Sequence, residues 1–436
     1  MADRDTAPMG AIGMYRQVVA LTGPLLPVIS FLGRLPVAII QFGSVLLIHE
    51  TSGSLATGGI VACALALGQV AMGPYVGRLA DRLGQRSVVI AFSLANAVAL
   101  AVYLTAALLG LPTPLLVLCG VLAGASVPGI GPLARARTVA LARRAGAPER
   151  VVGTVLTLEG TMDDVSFVLG PAVVGLAAVA GHPGYAFALA AVLVAVCGTG
   201  FALHPTARTP QSVRARAEGD PARARTGRRR LPREAYVVRV GLAFVGILLG
   251  GCGAGIGALT QELGHEDQAG LVYAAMGVMS AVVGVSMAAL PESFGLHLRW
   301  RLATAAAALL SLPLVWTDSM LGLYVVVTVF GAIFAPNLIT GFGLTERAVP
   351  VERLGEGMTW AVSAFVGGQA VTLAVAGRLA ESYGAGAAFA VGSAAAGLAF
   401  VVALLARPGR TSPAVTGRIP GDVREAPDVP GVSEKV

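Results

Sequence analysis

The chain has 436 residues, 55% hydrophobic and 13% charged, with a mean hydropathy of +0.76 and a formal net charge of +7. This composition excludes a water-soluble globule and describes an integral membrane protein. The basic excess would suggest nucleic acid in a soluble chain, but here the arginines lie between apolar runs, where membrane topology accounts for them and no nucleic-acid partner is implied.

A hydrocarbon core about 30 Å thick needs about 20 helical residues. Windows of that length fit at 25–48, 55–76, 87–110, 114–134, 153–180, 184–204, 236–260, 268–290, 302–319, 320–343, 355–380 and 385–406. The expected fold is all-α and membrane-integral. Its order is a tail and helix-1 lead-in (1–24), a six-helix bundle (25–204), a basic linker (205–235), a second six-helix bundle (236–406) and a proline-bearing, disordered tail (407–436). Arginines gather in the tails and in every second loop, while the alternate loops carry Glu50, Glu262, Glu266, Asp267, Asp318 and Glu381. This asymmetry puts both termini in the cytoplasm, and only Arg34 and Arg378 break it. Thirty of the 31 basic residues are arginine, and alanine and glycine abound, a bias that suggests a GC-rich bacterial gene and hence a bacterial cell membrane.

Between the second and third windows, Gly77-Arg78-Leu79-Ala80-Asp81-Arg82-Leu83-Gly84-Gln85-Arg86 is a charged ten-mer bracketed by glycines, expected to be a tight hairpin. Gly77, Leu79, Ala80, Asp81, Arg82, Gly84 and Arg86 resemble the signature of the major facilitator superfamily, a family of secondary transporters, with Gln85 departing from it. The resemblance implies two six-helix bundles that alternate access to a central site. It also implies that Asp81 lies beside the start of helix eleven, accepting from free amides in the Leu354 to Gly357 region when the cytoplasmic side is closed. Internal echoes support a duplication: Gly175, Gly184 and Phe187 recur at the spacing of Gly377, Gly386 and Phe389, Gly124 with Pro128 resembles Gly331 with Pro336, and Glu149-Arg150 resembles Glu352-Arg353.

Helix five holds the unusual charges. Its charge-free stretch, Val165 to Ala180, rises only about 24 Å, so the helix must run back through Asp164 and Asp163 toward Glu159. Glu159, Asp163, Ser166 and Gly170 share one face, with Asp164 about 100° away beside Thr157 and Thr161. Two partly desolvated carboxylates one turn apart suit proton exchange, and Arg34, at similar depth, is expected to pair with Asp163 or Glu159. Alternatively the acids sit at the inner interface, favoured by the helix dipole, while Arg34 snorkels.

Gly170-Pro171 with Gly175 resembles the helix-five motif of drug/proton antiporters of the superfamily. The second glycine falls one residue late, and the arginine those antiporters carry in helix four is absent between Leu115 and Leu133. The glycine run Gly250 to Gly257 suits either a bend or close packing, and Pro36 and Pro336 are candidate kinks. By the same resemblance helices one, four, seven and ten line the cavity, making Gln41, Ser126, Thr260, Asn337 and Thr340 candidate contacts.

The four cysteines occupy four different apolar runs without C-x-x-C spacing, the five histidines are scattered, and no phosphate-binding glycine loop occurs. Neither metal nor cofactor is expected, nor is an enzyme, since no nucleophile sits with a base at shared depth. The expectation is a monomeric secondary transporter whose partners are a small-molecule substrate, the proton and the lipid bilayer. It would export a small amphiphilic compound; proton-symport uptake of a metabolite and a transporter-like sensor are the alternatives.

Overall fold

The computed structural model describes residues 11–208, 231–265, 268–287, 290, 294–350 and 353–406, and every regular element among them is helical. Among the described residues twelve helices are long and apolar enough to cross a bilayer. They run Leu25–Ser52, Thr57–Leu83, Gln85–Leu108, Thr113–Arg144, Glu149–Ala178, Gly184–Leu203, Arg233–Glu262, Ala269–Ser286, Leu296–Trp316, Met320–Ala348, Leu354–Tyr383 and Ala385–Leu405, and are numbered spans 1 to 12. In hydrocarbon no water can bond a bare amide, so a helix, which pairs its amides within the segment, is the state such runs adopt. A shorter helix, Ala11–Thr22, fills the expected lead-in. Most of the linker (209–230) and the tail (407–436) lie outside the described residues.

Two expectations are corrected here. The ten-mer is not a hairpin loop: span 2 stays helical to Leu83 and the chain reverses at Gly84 alone, whose φ of 94° a side chain would resist. Gly77 lies inside the helix, where a Cβ would come within 2.7 Å of the Gly355 carbonyl oxygen, so its role is close approach to span 11. Second, span 4 does not stop at 134. It breaks at Ser126 to Gly129, where Gly129 has φ 64°, and resumes as Ile130–Arg144, carrying Arg135 and Arg137 inside the bundle.

The repeated glycines mark matched contacts in the two halves. A Cβ on Gly124 would strike the backbone of Leu65 in span 2, and one on Gly331 the backbone of Met276 in span 8. Phe187 of span 6 fills the space beside Gly43 of span 1, as Phe389 of span 12 does beside Gly255 of span 7. Gly175 and Gly377 face open space and carry no such contact. The run Gly250 to Gly257 resolves as close packing, because span 7 is unbroken and Gly250 and Gly251 meet spans 11 and 12 through backbone atoms. Pro336 falls in the first turn of the segment restarting at Phe334, where its missing donor costs little.

Among the described residues, the hydrophobic core shared by the halves lies at one end. The end bearing Ala11 and Ala406, here the basic end, has a cluster joining Val139, Val151 and Val155 to Leu242, Phe342 and Met358. The main clusters at the far end each belong to a single half, one built on Ile39, Leu65 and Phe187, the other on Ile256, Val327 and Phe389. Apolar burial therefore closes the molecule at the basic end, while at the other end the main clusters stay within one half and the halves meet through smaller contacts such as Phe42 with Tyr273.

Candidate functional site

Gly170 brings span 5 against span 1. A Cβ there would lie 2.5 Å from that of Ala38, one turn beyond Arg34. This approach carries the Arg34 guanidinium, 4% exposed, onto span 5. One terminal nitrogen, Nη1, donates to the Glu159 carbonyl oxygen at 2.8 Å and to Asp163 Oδ1 at 2.9 Å, while Nη2 donates to Ser30 Oγ at 3.2 Å and to the Glu159 carboxylate. Arg34 thus engages both acids rather than one. The remaining oxygen of Glu159 accepts from Thr138 Oγ1 at 3.2 Å. Neither the interfacial arrangement of the acids nor a snorkelling Arg34 describes this buried network.

Arg135, fully buried, supplies the second cation. Its Nη2 donates to Asp163 Oδ2 at 2.5 Å, and its guanidinium lies 3.8 Å from the centre of the Phe342 ring in the second half. Arg137 turns toward spans 3 and 6, bonding Gln85 Oε1 and the Phe201 carbonyl at 2.8 Å each. Sequence reading missed both arginines because charge was used to end span 4. The absence of a glycine or proline between Leu133 and Ala145 was the signal that the helix continues.

Both oxygens of Asp163 and of Glu159 are therefore engaged, while Asp164 differs. It forms no ion pair among the described residues, and its one hydrogen bond is received at Oδ2 from Ser280 Oγ of span 8, at 3.0 Å. Ser280 Oγ in turn accepts the Ala335 amide at 3.1 Å, one of the free donors where span 10 restarts. This chain of two bonds crosses from one half to the other.

Asp163, Asp164 and Arg34 line a cavity of about 210 Å³ between the halves, with Pro171, Gln69, Tyr273, Gln369 and several phenylalanines. The five polar positions expected there are not among its lining residues. Gln41 reaches it only through Gln69 (3.1 Å) and Ser126 only through Asn96 (3.0 Å); Thr260 bonds its own helix, Asn337 bonds the Ala303 carbonyl, and Thr340 is buried. Hydropathy locates a residue in depth but not in the direction it faces: Thr260, Asn337 and Thr340 are buried in helix packing, and Gln41 and Ser126 stand one hydrogen bond behind the lining.

At the basic end, Asp81 accepts from Gly355 N at 3.2 Å and Glu356 N at 2.7 Å, at the start of span 11. Arg143 Nε donates to Glu346 Oε1 at 2.7 Å, tying span 4 to span 10. Arg82 and Arg86 are exposed outside this contact. Among the described residues no cluster of metal-ligating side chains occurs.

The family model of the Major Facilitator Superfamily matches residues 19–359. Among solved structures, the human organic anion transporter MFSD10 (TETRAN) superposes with a TM-score of 0.67 at 16% identity, covering 89% of this chain and 99% of that one. The proton:xylose symporter XylE does so with 0.66 at 15% identity, covering 88% and 95%. A bacterial homologue of the iron transporter ferroportin, in an outward-facing state, gives 0.65 at 16% identity, covering 87% and 98%. At these identities the likeness is one of fold. A search of curated protein sequences gives no significant match.

Proposed function

This chain belongs to the major facilitator superfamily of multi-pass membrane transporters, and on that premise we propose that it is a proton-coupled exporter of a small amphiphilic compound, working by alternating access. The observation that carries the reading is Asp164: an acid lining the cavity that, among the described residues, is in no ion pair and has one hydrogen bond, received from a hydroxyl of the opposite half. The charge of Asp163 and of Glu159 is balanced by arginine, so these two, with Arg34 and Arg135, form a fixed scaffold. Asp164 takes and releases the proton. A carboxylate accepts more strongly from Ser280 than a neutral acid does, so protonation weakens the link between spans 5 and 8.

The closed basic end is then the cytoplasmic gate in a bacterial cell membrane, with Asp81 and the Arg143–Glu346 pair as its polar latches and the cavity reached from outside. The mostly apolar lining favours an amphiphile over a sugar, whose hydroxyls would need many fixed partners. A preference for efflux over uptake rests on that lining.

In liposomes, wild-type protein should move such a compound against an imposed proton gradient. A sensor would move nothing, and a symporter would move substrate in the same direction as the proton. Asp81→Asn should slow turnover several-fold, since a carboxylate on a helix start is worth about 1 kcal/mol, while membrane insertion stays normal. Unchanged initial rates of the Asp81→Asn protein would remove the latch from the account.

A further inference from the structure

The charges around the cavity are unevenly divided. All those that line it come from the first half, one guanidinium (Arg34) against two carboxylates (Asp163 and Asp164), and the second half brings no formally charged residue to the lining. Behind the wall Arg135 pairs with Asp163 and Glu159 with Arg34, so in the lining itself two carboxylates stand against one guanidinium. Arg137, the remaining cation nearby, is drawn toward spans 3 and 6. Spans 8 and 10 bring Ser280, Tyr273 and apolar side chains to the lining, and the charged groups that act on Asp164 are its neighbour Asp163 and, from span 4, Arg135. The lining acid in no ion pair thus has Oδ2 held by Ser280 and Oδ1 with no partner among the described residues.

The walls are aromatic: Phe42, Phe167, Tyr273, Phe334, Phe342 and Phe365 all line the space, with Phe42 and Tyr273 in edge contact across the halves, ring centres 6.2 Å apart at 70°. Ring faces attract cations, and a desolvated carboxylate attracts them more. With about 210 Å³ of room the cavity accommodates a small ligand such as one ring with a compact charged head.

Resting on the transport reading above, we propose that the cavity binds compact aromatic monocations, the charged head seated at Asp164 Oδ1 and the ring among the aromatic walls. Substrate and proton then neutralise the same oxygen, so they exclude one another, and exchange of one for the other is built into the site. Asp163 takes no part in holding the cation, because Arg34 and Arg135 occupy its two oxygens.

The test is equilibrium binding to the full-length protein in lipid nanodiscs, comparing phenyltrimethylammonium with benzenesulfonate, a cation and an anion of similar size. The cation should bind and the anion should not. Cation binding should strengthen as pH rises while Asp164 loses its proton. Asp164→Asn should weaken it by about tenfold or more and abolish its pH dependence, and Asp164→Glu should restore part of both. Equal or better binding of benzenesulfonate, binding of neither ion, or unchanged cation binding in a stably folded Asp164→Asn protein would each overturn the assignment. The wild-type comparison decides it even if the variant does not fold. Proton-driven flux of neutral or anionic compounds would overturn the cation site and leave the transport reading standing, whereas absence of any proton-coupled flux would count against that reading instead.

Discussion

Asp164→Asn is expected to exchange substrate across a liposome membrane at equal pH on both sides, once the substrate concentration is raised to offset its weaker binding, yet to lose all accumulation driven by a proton gradient. Asparagine matches aspartate in shape, and its amide oxygen still accepts from Ser280, so the packing between spans 5 and 8 survives. What it lacks is an oxygen that takes a proton. One proton exchanged per substrate makes a gradient of one pH unit worth about 1.4 kcal/mol, a tenfold concentration ratio. Wild-type vesicles should approach that ratio, and those of the variant should stay near unity. The same substitution at Asp163 tests something else: it removes a charge two arginines share, so loss of folded protein is expected there before any specific loss of coupling.

The largest effect on stability should come from Arg34→Met. Methionine fills much of the same volume, but Glu159 would lose its cation entirely and Asp163 would keep only Arg135. Stranding a buried carboxylate costs about 3–5 kcal/mol, even where replacing the whole ion pair with apolar groups would be neutral. The variant should therefore show a sharply lower melting temperature in detergent, and adding Glu159→Gln should recover most of the loss. Melting of Arg34→Met at the wild-type temperature would mean that the network contributes little to holding spans 1 and 5 together.

The two effects differ because the two acids differ, and that difference was only half legible in the sequence. Twelve spans could be placed because a bilayer imposes a length on every apolar run. The depth of Arg34 matched that of Glu159 and Asp163, which is why a pairing between spans 1 and 5 was foreseeable. The echo of Gly124 in Gly331 was visible because close backbone approach demands a glycine in both halves, whereas Gly175 and Gly377 echo each other with no such contact. Asp81 could be set beside span 11 only by resemblance to the superfamily, since nothing local brings residues so distant in sequence together.

What stayed hidden were properties of direction and neighbourhood. Arg135 looks like an anchor at the end of a helix until its helix is seen to run on to Arg144, packed on all sides. Ser280 is one small polar residue in an apolar span, and nothing in its surroundings announces that it donates to Asp164 and accepts from Ala335. Asn337 and Thr340 show the converse: polar residues on the right helix that do not line the cavity, Asn337 bonding the Ala303 carbonyl of span 9 and Thr340 buried. Gly77 was legible as a glycine the chain needs, but the need is room for Gly355 and Thr359 rather than a turn.

Alternating access is the central claim, and inter-half distances test it most directly. With the four cysteines replaced, spin labels at the exposed positions Ser87 and Leu298 report on the basic end, and labels at Ser52 and Gln261 on the far end. Pulsed electron paramagnetic resonance in nanodiscs should show the first distance lengthening and the second shortening as the pH is lowered and Asp164 takes its proton, with the reverse on return. Distances that stay fixed at both ends across pH, or that lengthen together, would contradict the account.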